Sequence, residues 1–220
     1  MTINLHKGQT IDLRKNNAGG DYDLSTVTIG LGWDVKEQNK SFLGSLFGRR
    51  TEEYDLDAVA FLLDANDKVI NKGEAVSMGG NPSQLEGGDI VFFNALKHFS
   101  GHVWLTGDNR SGEGEGDDEQ IIVQLDQLDI KYQKIVFIVA IYQGEKRKQH
   151  FGMVDNAFIR AVDNRGTEIA KFSLSGNSDF NHTHSMIFAE ICRRAGSWEF
   201  RAIGEPRNTD NFVDILSEYL

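Results

Sequence analysis

A chain of 220 residues with 40% apolar content and 14 Phe can fill a real core, as one large domain or two small ones. Its 23 Lys and Arg against 33 Asp and Glu leave a net charge of −10, which argues against nucleic acid and against direct electrostatic docking or insertion at an anionic membrane. One cysteine, Cys192, excludes an internal disulfide framework. No signal-peptide pattern opens the sequence, and the longest apolar run, Ile135 to Tyr142, is too short to span a bilayer, so a reducing, cytoplasmic setting is expected.

In chain order, Ile3 and Leu5, a turn at Lys7-Gly8-Gln9, then Ile11 and Leu13 read as an opening β-hairpin. From Leu24, the residues Val27, Ile29, Leu31 and Trp33 share one face, with Thr26, Thr28, Gly30 and Gly32 on the other. This is a half-buried strand with small residues where something approaches closely. Residues 36–53 read as a surface excursion with an apolar island at Phe42-Leu43 and Leu46-Phe47. The run from Tyr54 to Leu63 is a strand whose entry places Asp55 and Asp57 on one side, a costly pairing unless solvated or bound to something. A turn at Asp64 to Asp67 would return through a strand at Lys68-Val69-Ile70.

Residues 71–88 read as a long loop, followed by a strand from Asp89 to Asn94 and a short strand from His102 to Leu105. Strands are also expected over 121–125, 135–142 (central, being apolar on both faces), 158–162, 168–174, 186–191 and 198–203. At the end the period changes. Phe212, Ile215, Leu216 and Tyr219 fall on one helical face, with Asp210 as N-cap. The expected fold is an all-β, two-sheet β-sandwich with a short C-terminal helix, divided into a domain over 1–205 and an amphipathic tail over 206–220.

The stretch from Gly107 to Glu119 holds six carboxylates (Asp108, Glu113, Glu115, Asp117, Asp118, Glu119) and one Arg, a net charge of −5, so it carries half the imbalance of the chain. Its glycines let the loop fold back and crowd those charges. Two carboxylates ~5 Å apart repel by roughly 3 kcal/mol at an effective dielectric near 20, so a folded loop needs a cation or protons. Oxygen donors without Cys or His suit Ca²⁺, with Mg²⁺ as runner-up, and disfavour zinc or copper. The spacing is not an EF-hand, because Glu113 stands where that loop needs glycine and the flanks read as strands. Gly112-x-Gly114-x-Gly116 is not a phosphate loop, since no Lys-Ser/Thr follows.

Several pieces in order resemble the TerD family of tellurite-resistance and general stress proteins. They are Leu5-x-Lys7-Gly8-Gln9, Gly30-Leu31-Gly32-Trp33-Asp34, Asp55-Leu56-Asp57-Ala58, Phe93-Asn94, the acidic stretch, Phe151-Gly152-x-Val154-x-Asn156-Ala157-Phe158-Ile159-Arg160, and Trp198-x-Phe200-x-Ala202-Ile203-Gly204. The resemblance implies a calcium-binding β-sandwich that is not an enzyme and that works with other stress-response proteins. It implies ligands from Asp34, Asp55, Asp57, Asn94, Asp108, Asn109, Glu113, Glu115, Asp117, Asp118 and Glu119, completed by glycine carbonyls such as that of Gly112. These are more oxygens than one ion uses, so two ions are expected.

Two other classes stand beside this reading: a small-ligand binder of the cyclic-nucleotide type, and a hydrolase using a carboxylate pair. His182-x-His184 on a strand would have a zinc-like spacing, but no third ligand is apparent nearby. Ser100-Gly101 argues against a helical pairing of His98 with His102, and Cys192 reads as a buried apolar side chain.

Overall fold

The structure, a computed structural model, describes residues 3–13, 21–35, 54–76, 84–106, 116–173 and 180–220. The apolar islands of 36–53 and most of the acidic stretch lie outside these ranges. Alternating apolar residues become strands wherever one face can be buried. Fourteen form among the described residues: β1 (Ile3–Leu5), β2 (Thr10–Asp12), β3 (Val27–Val35), β4 (Leu56–Leu63), β5 (Glu74–Val76), β6 (Gln84–Glu86), β7 (Ile90–Val91), β8 (Val103–Thr106), β9 (Glu119–Val123), β10 (Lys134–Ile141), β11 (Val154–Val162), β12 (Glu168–Ser173), β13 (Ser185–Arg194) and β14 (Ser197–Arg207). The helices are α1 (Gly144–Arg147), which the sequence reading missed, and α2 (Phe212–Leu216).

Two six-stranded sheets make the body. The first has the order β1-β12-β11-β3-β9-β8 and the second β2-β14-β13-β10-β4-β7, while β5 and β6 form a separate two-stranded ribbon. The inner faces meet in one cluster that includes Val27, Ile29, Leu31 and Trp33 of β3 and Leu56, Ala58, Ala60 and Leu62 of β4. The second sheet is also covered on its outer face. There Val59, Phe61 and Leu63 pack with Ile215 and Leu216 of α2, flanked by Phe212 and Tyr219. That is why β4 is buried at every position. β10 is central, as its sequence requires, lying between β13 and β4.

Five expectations are corrected. Residues 71–88, read as a loop, carry the β5–β6 ribbon, and the strand expected from Asp89 to Asn94 is only Ile90–Val91, since the chain turns at Phe93-Asn94. The first two strands do not pair as a hairpin. β1 runs parallel to β12 in one sheet and β2 antiparallel to β14 in the other, so the turn at residues 6–9 is a corner between sheets. Its Gly8 N–H is taken by the Ala202 carbonyl at 2.7 Å instead of by a hairpin partner. The turn after β4 forms, with Asp64 N–H on Lys68 O, but 68–70 is not a strand. β10 already fills the position beside β4, and Val69 N–H goes to Tyr219 O at 2.8 Å. The cap of α2 is Asn211, whose side chain accepts from Val213 N–H, and not Asp210, which accepts from Glu145 N–H.

Candidate metal-binding acidic site

The acidic stretch re-enters the described structure at Gly116 and runs straight into β9. β9 pairs with β3 from Val27↔Val123 to Leu31↔Glu119. Beyond that register the two chains stay joined by a substitute. Asp118 N–H donates to Leu31 O at 2.8 Å, and the Asp118 carboxylate, in place of a main-chain carbonyl, accepts Trp33 N–H at 2.9 Å. Asp118 is thereby set beside Asp34, the next residue of β3. Burial, reinforced by the charges of Asp34 and Asp117, pushes the Asp118 carboxyl above its usual range, although Trp33 N–H opposes the shift.

The three consecutive acids have different surroundings. Asp117 forms an ion pair with Arg160 at 2.7 Å and accepts from Gln120 Nε2 at 3.2 Å. Glu119 points inward, is 1% exposed, and accepts Ala58 N–H of the opposite sheet at 2.6 Å. The reason lies in β7. Leu62 N–H is taken by Asp89 O on the β7 side, and the two-residue period turns Ala60 and Ala58 N–H the same way. β7 covers only Ala60 and Phe61, so past its end a carboxylate takes the donor that a longer strand would have taken.

Asp34 is exposed and accepts from Asn156 Nδ2 at 2.7 Å. Asp57 is 8% exposed and lies, by strand parity, with Val59 and Phe61 on the outer side of the second sheet. Asp55 stands just before β4, its carbonyl accepting Tyr142 N–H. Asn94 sits half-buried in the turn between Phe92 and Ala95, next to Phe93, whose ring meets Tyr142 edge-on at 6.3 Å. The structure therefore sets Asp118 between Asp117, its neighbour in the chain, and Asp34 on the first sheet. It sets Asp55 and Asp57 on the second, with Glu119 bridging the two. Asp108, Asn109, Gly112, Glu113 and Glu115 lie outside the described residues. Among the described residues no three His, Cys, Asp or Glu side chains converge to hold a metal ion. What they contribute is a set of hard oxygen donors around one carboxylate whose charge is penalised, which fits a Ca²⁺-type cation and not a soft metal.

The rival arrangements resolve differently. His182 has φ of 69°, stands in a turn before β13, and stacks on His150 at 4.8 Å, so it does not share a strand face with His184. His184 is held by the Gln149 carbonyl at 2.8 Å. Cys192 is buried, and its thiol is pushed up to about 12 by that burial and by Glu190, which leaves it no nucleophile.

Sequence reasoning missed a buried polar network. Asp89 (0% exposed) accepts from His98 Nε2 at 3.0 Å, Tyr132 Oη at 2.6 Å and Asn71 N–H at 2.7 Å. Burial alone would raise its carboxyl, but those donors outweigh it and hold it below the usual range. Ser100 Oγ lies 2.7 Å from His98 Nδ1, which completes a Ser–His–Asp order. However, Ser100 N–H also donates to His98 Nδ1 and His102 N–H to Ser100 Oγ, so the group braces the 98–102 turn. The apolar run that follows Asp89 gave the only sequence signal, and it looks like an ordinary strand.

Comparison with known proteins agrees with this architecture. The family model described as the TerD domain matches residues 1–219. The chain is 56% identical over 220 residues, the full length of both, to tellurium resistance protein TerX of Serratia marcescens. It is 39% identical over 221 residues, again full length, to stress response protein SCP2 of Bacillus subtilis. A solved homologue of TerD from Streptomyces coelicolor superposes with a TM-score of 0.58 at 21% identity, covering 86% of this chain and 94% of that one, which shows a shared fold.

Proposed function

Because the chain belongs to the TerD family, we propose that it is a non-catalytic, calcium-dependent module of a tellurium- and stress-resistance response. The observation that carries this reading is Asp118. Its carboxylate is fixed on β3 by Trp33 N–H, beside Asp34 and Asp117, and its charge is unfavourable in that position. A dication relieves that cost, and the remaining acids of the 107–119 stretch supply further oxygens in sequence. A second ion would draw on Asp55, Asp57 and Asn94, with Glu119 coupling the two groups through Ala58 N–H. Calcium would order the acidic loop into a surface that a protein partner of the stress response reads.

The test is a melting curve in calcium, in magnesium and in chelator at matched ionic strength. A ligand that binds only the native state stabilises by about 2.7 kcal/mol at a hundredfold excess over Kd. For a chain of this size that raises Tm by roughly 5–10 °C. Calcium is expected to give such a rise and magnesium less, and a pull-down in calcium should recover a partner that chelator releases. Identical curves in calcium and chelator would remove the cation from the account.

A further inference from the structure

The outer face of β3 has a gap at Gly30, and the gap has walls. Register sets Arg160 of β11 opposite Gly30 on one side and Gln120 of β9 opposite it on the other. The Asp117 carboxylate fills the space between. Oδ1 accepts from Arg160 Nε at 2.7 Å, Oδ2 accepts from Gln120 Nε2 at 3.2 Å, and a Cβ on residue 30 would collide with the carboxylate. One row further, the Gly116 carbonyl and the Phe158 ring occupy the equivalent space over Gly32, and Phe158 is covered by Lys171 Nζ at 3.7 Å. Arg160 is itself held from behind by Glu168 at 3.2 Å. The Asp117 side chain is 2% exposed.

We infer that Arg160, Gly30 and Gln120 form a carboxylate seat for Asp117, and that Arg160 is a positioning residue for the acidic site. The inference rests on the calcium reading above. Neighbouring residues are sorted by their counter-charges. The guanidinium balances the charge of Asp117 and the Gln120 amide holds its second oxygen, within a side chain that is 2% exposed, so Asp117 serves to anchor the loop and not to face a cation. Asp118 has no such seat on the glycine face: its N–H donates to Leu31 O and its carboxylate accepts Trp33 N–H at the edge of β3, on the side of Asp34. Seating Asp117 determines where Asp118 stands, because one peptide separates them. An arginine suits this task because its planar fork directs more than one N–H at once, here to Asp117 and to Glu168.

Calcium titration by calorimetry and melting in chelator, both on the full chain, test the seat with Arg160→Met, Arg160→Lys, Asp117→Asn, Asp118→Asn and the double variant Arg160→Met/Asp117→Asn. Arg160→Met and Asp117→Asn are each expected to keep the wild-type number of calcium ions but to weaken Kd about tenfold. The double variant should be no weaker than either single one, and Arg160→Lys intermediate. Asp118→Asn should lose an ion. The seat is overturned if Asp117→Asn loses an ion as Asp118→Asn does, or if Arg160→Met leaves Kd unchanged. Should Arg160→Met fail to fold, Arg160→Lys and Asp117→Asn carry the same comparison. If the wild type binds no calcium, the functional reading fails by itself. The melts in chelator then judge the seat: non-additive losses in the double variant uphold it, and additive losses refute it.

Discussion

Asp118, half-buried, and Asp89, fully buried, are two acids with opposite linkage. The folded value of Asp118 is raised, so its contribution to stability is present below the ordinary Asp range and is lost as pH rises through the folded value. In chelator at neutral pH this carboxylate therefore weakens the fold. Asp118→Asn keeps an oxygen for Trp33 N–H and removes the charge, so it should raise Tm in chelator while reducing the rise that calcium gives. Parallel melts with and without calcium show both signs, and a fall of Tm in chelator would contradict the assignment. The folded value of Asp89 is lowered, so its stabilisation holds above the ordinary Asp range and is lost as pH falls through the folded value. Asp89→Ala strands the Tyr132 hydroxyl, His98 N–H and Asn71 N–H. Leaving buried donors without their acceptor in this way costs about 1–3 kcal/mol for each group stranded. Urea melts from neutral pH down to about pH 2 should show this loss shrinking in acid as the wild-type carboxylate protonates.

Two elements carry most of the organisation. β3 buries its apolar face in the sandwich and uses its glycine face to receive the acidic stretch. The α2 segment is too short to persist alone, so its helix exists because Ile215 and Leu216 have an apolar floor on β4 and its neighbours. Side contacts fix it further: Lys68 Nζ meets Leu220 O at 2.6 Å, and Arg207 pairs with Glu218 at 3.1 Å. Ile215→Ala, at a site 1% exposed, should cost about 2–5 kcal/mol. Hydrogen exchange of residues 212–219 should then rise toward free-peptide rates while the β3–β9 amides stay protected. Equal acceleration everywhere would mean that α2 folds as one unit with the sandwich.

At the scale of the molecule, the sandwich holds two acidic groupings, one on each sheet, and Glu119 connects them by placing its carboxylate across the interface. No helix among the described residues is long and apolar enough to cross a membrane. The relatives similar to this chain carry names from tellurium resistance and stress response.

Much of this was legible in the residues. The alternation of Val27, Ile29, Leu31 and Trp33 determined the strand and its buried face, because a two-residue period leaves a half-buried chain no other regular structure. The glycines of Gly30-Leu31-Gly32 announced a close approach, and the acidic stretch announced a charge to be neutralised. The helical period of Phe212, Ile215, Leu216 and Tyr219 announced the tail. Only the tertiary structure decided what met what. The strands around Gly8 diverge into different sheets because long-range pairing with β12 and β14 outcompetes a local hairpin. Asp89, His98, Ser100 and Tyr132 form one network although 43 positions separate Asp89 from Tyr132. Arg160 faces Asp117 only because β11 and β9 flank β3 in register. Periodicity is a local property of the chain. Partner choice depends on which distant donor reaches a buried acceptor, and sequence spacing carries no record of that distance.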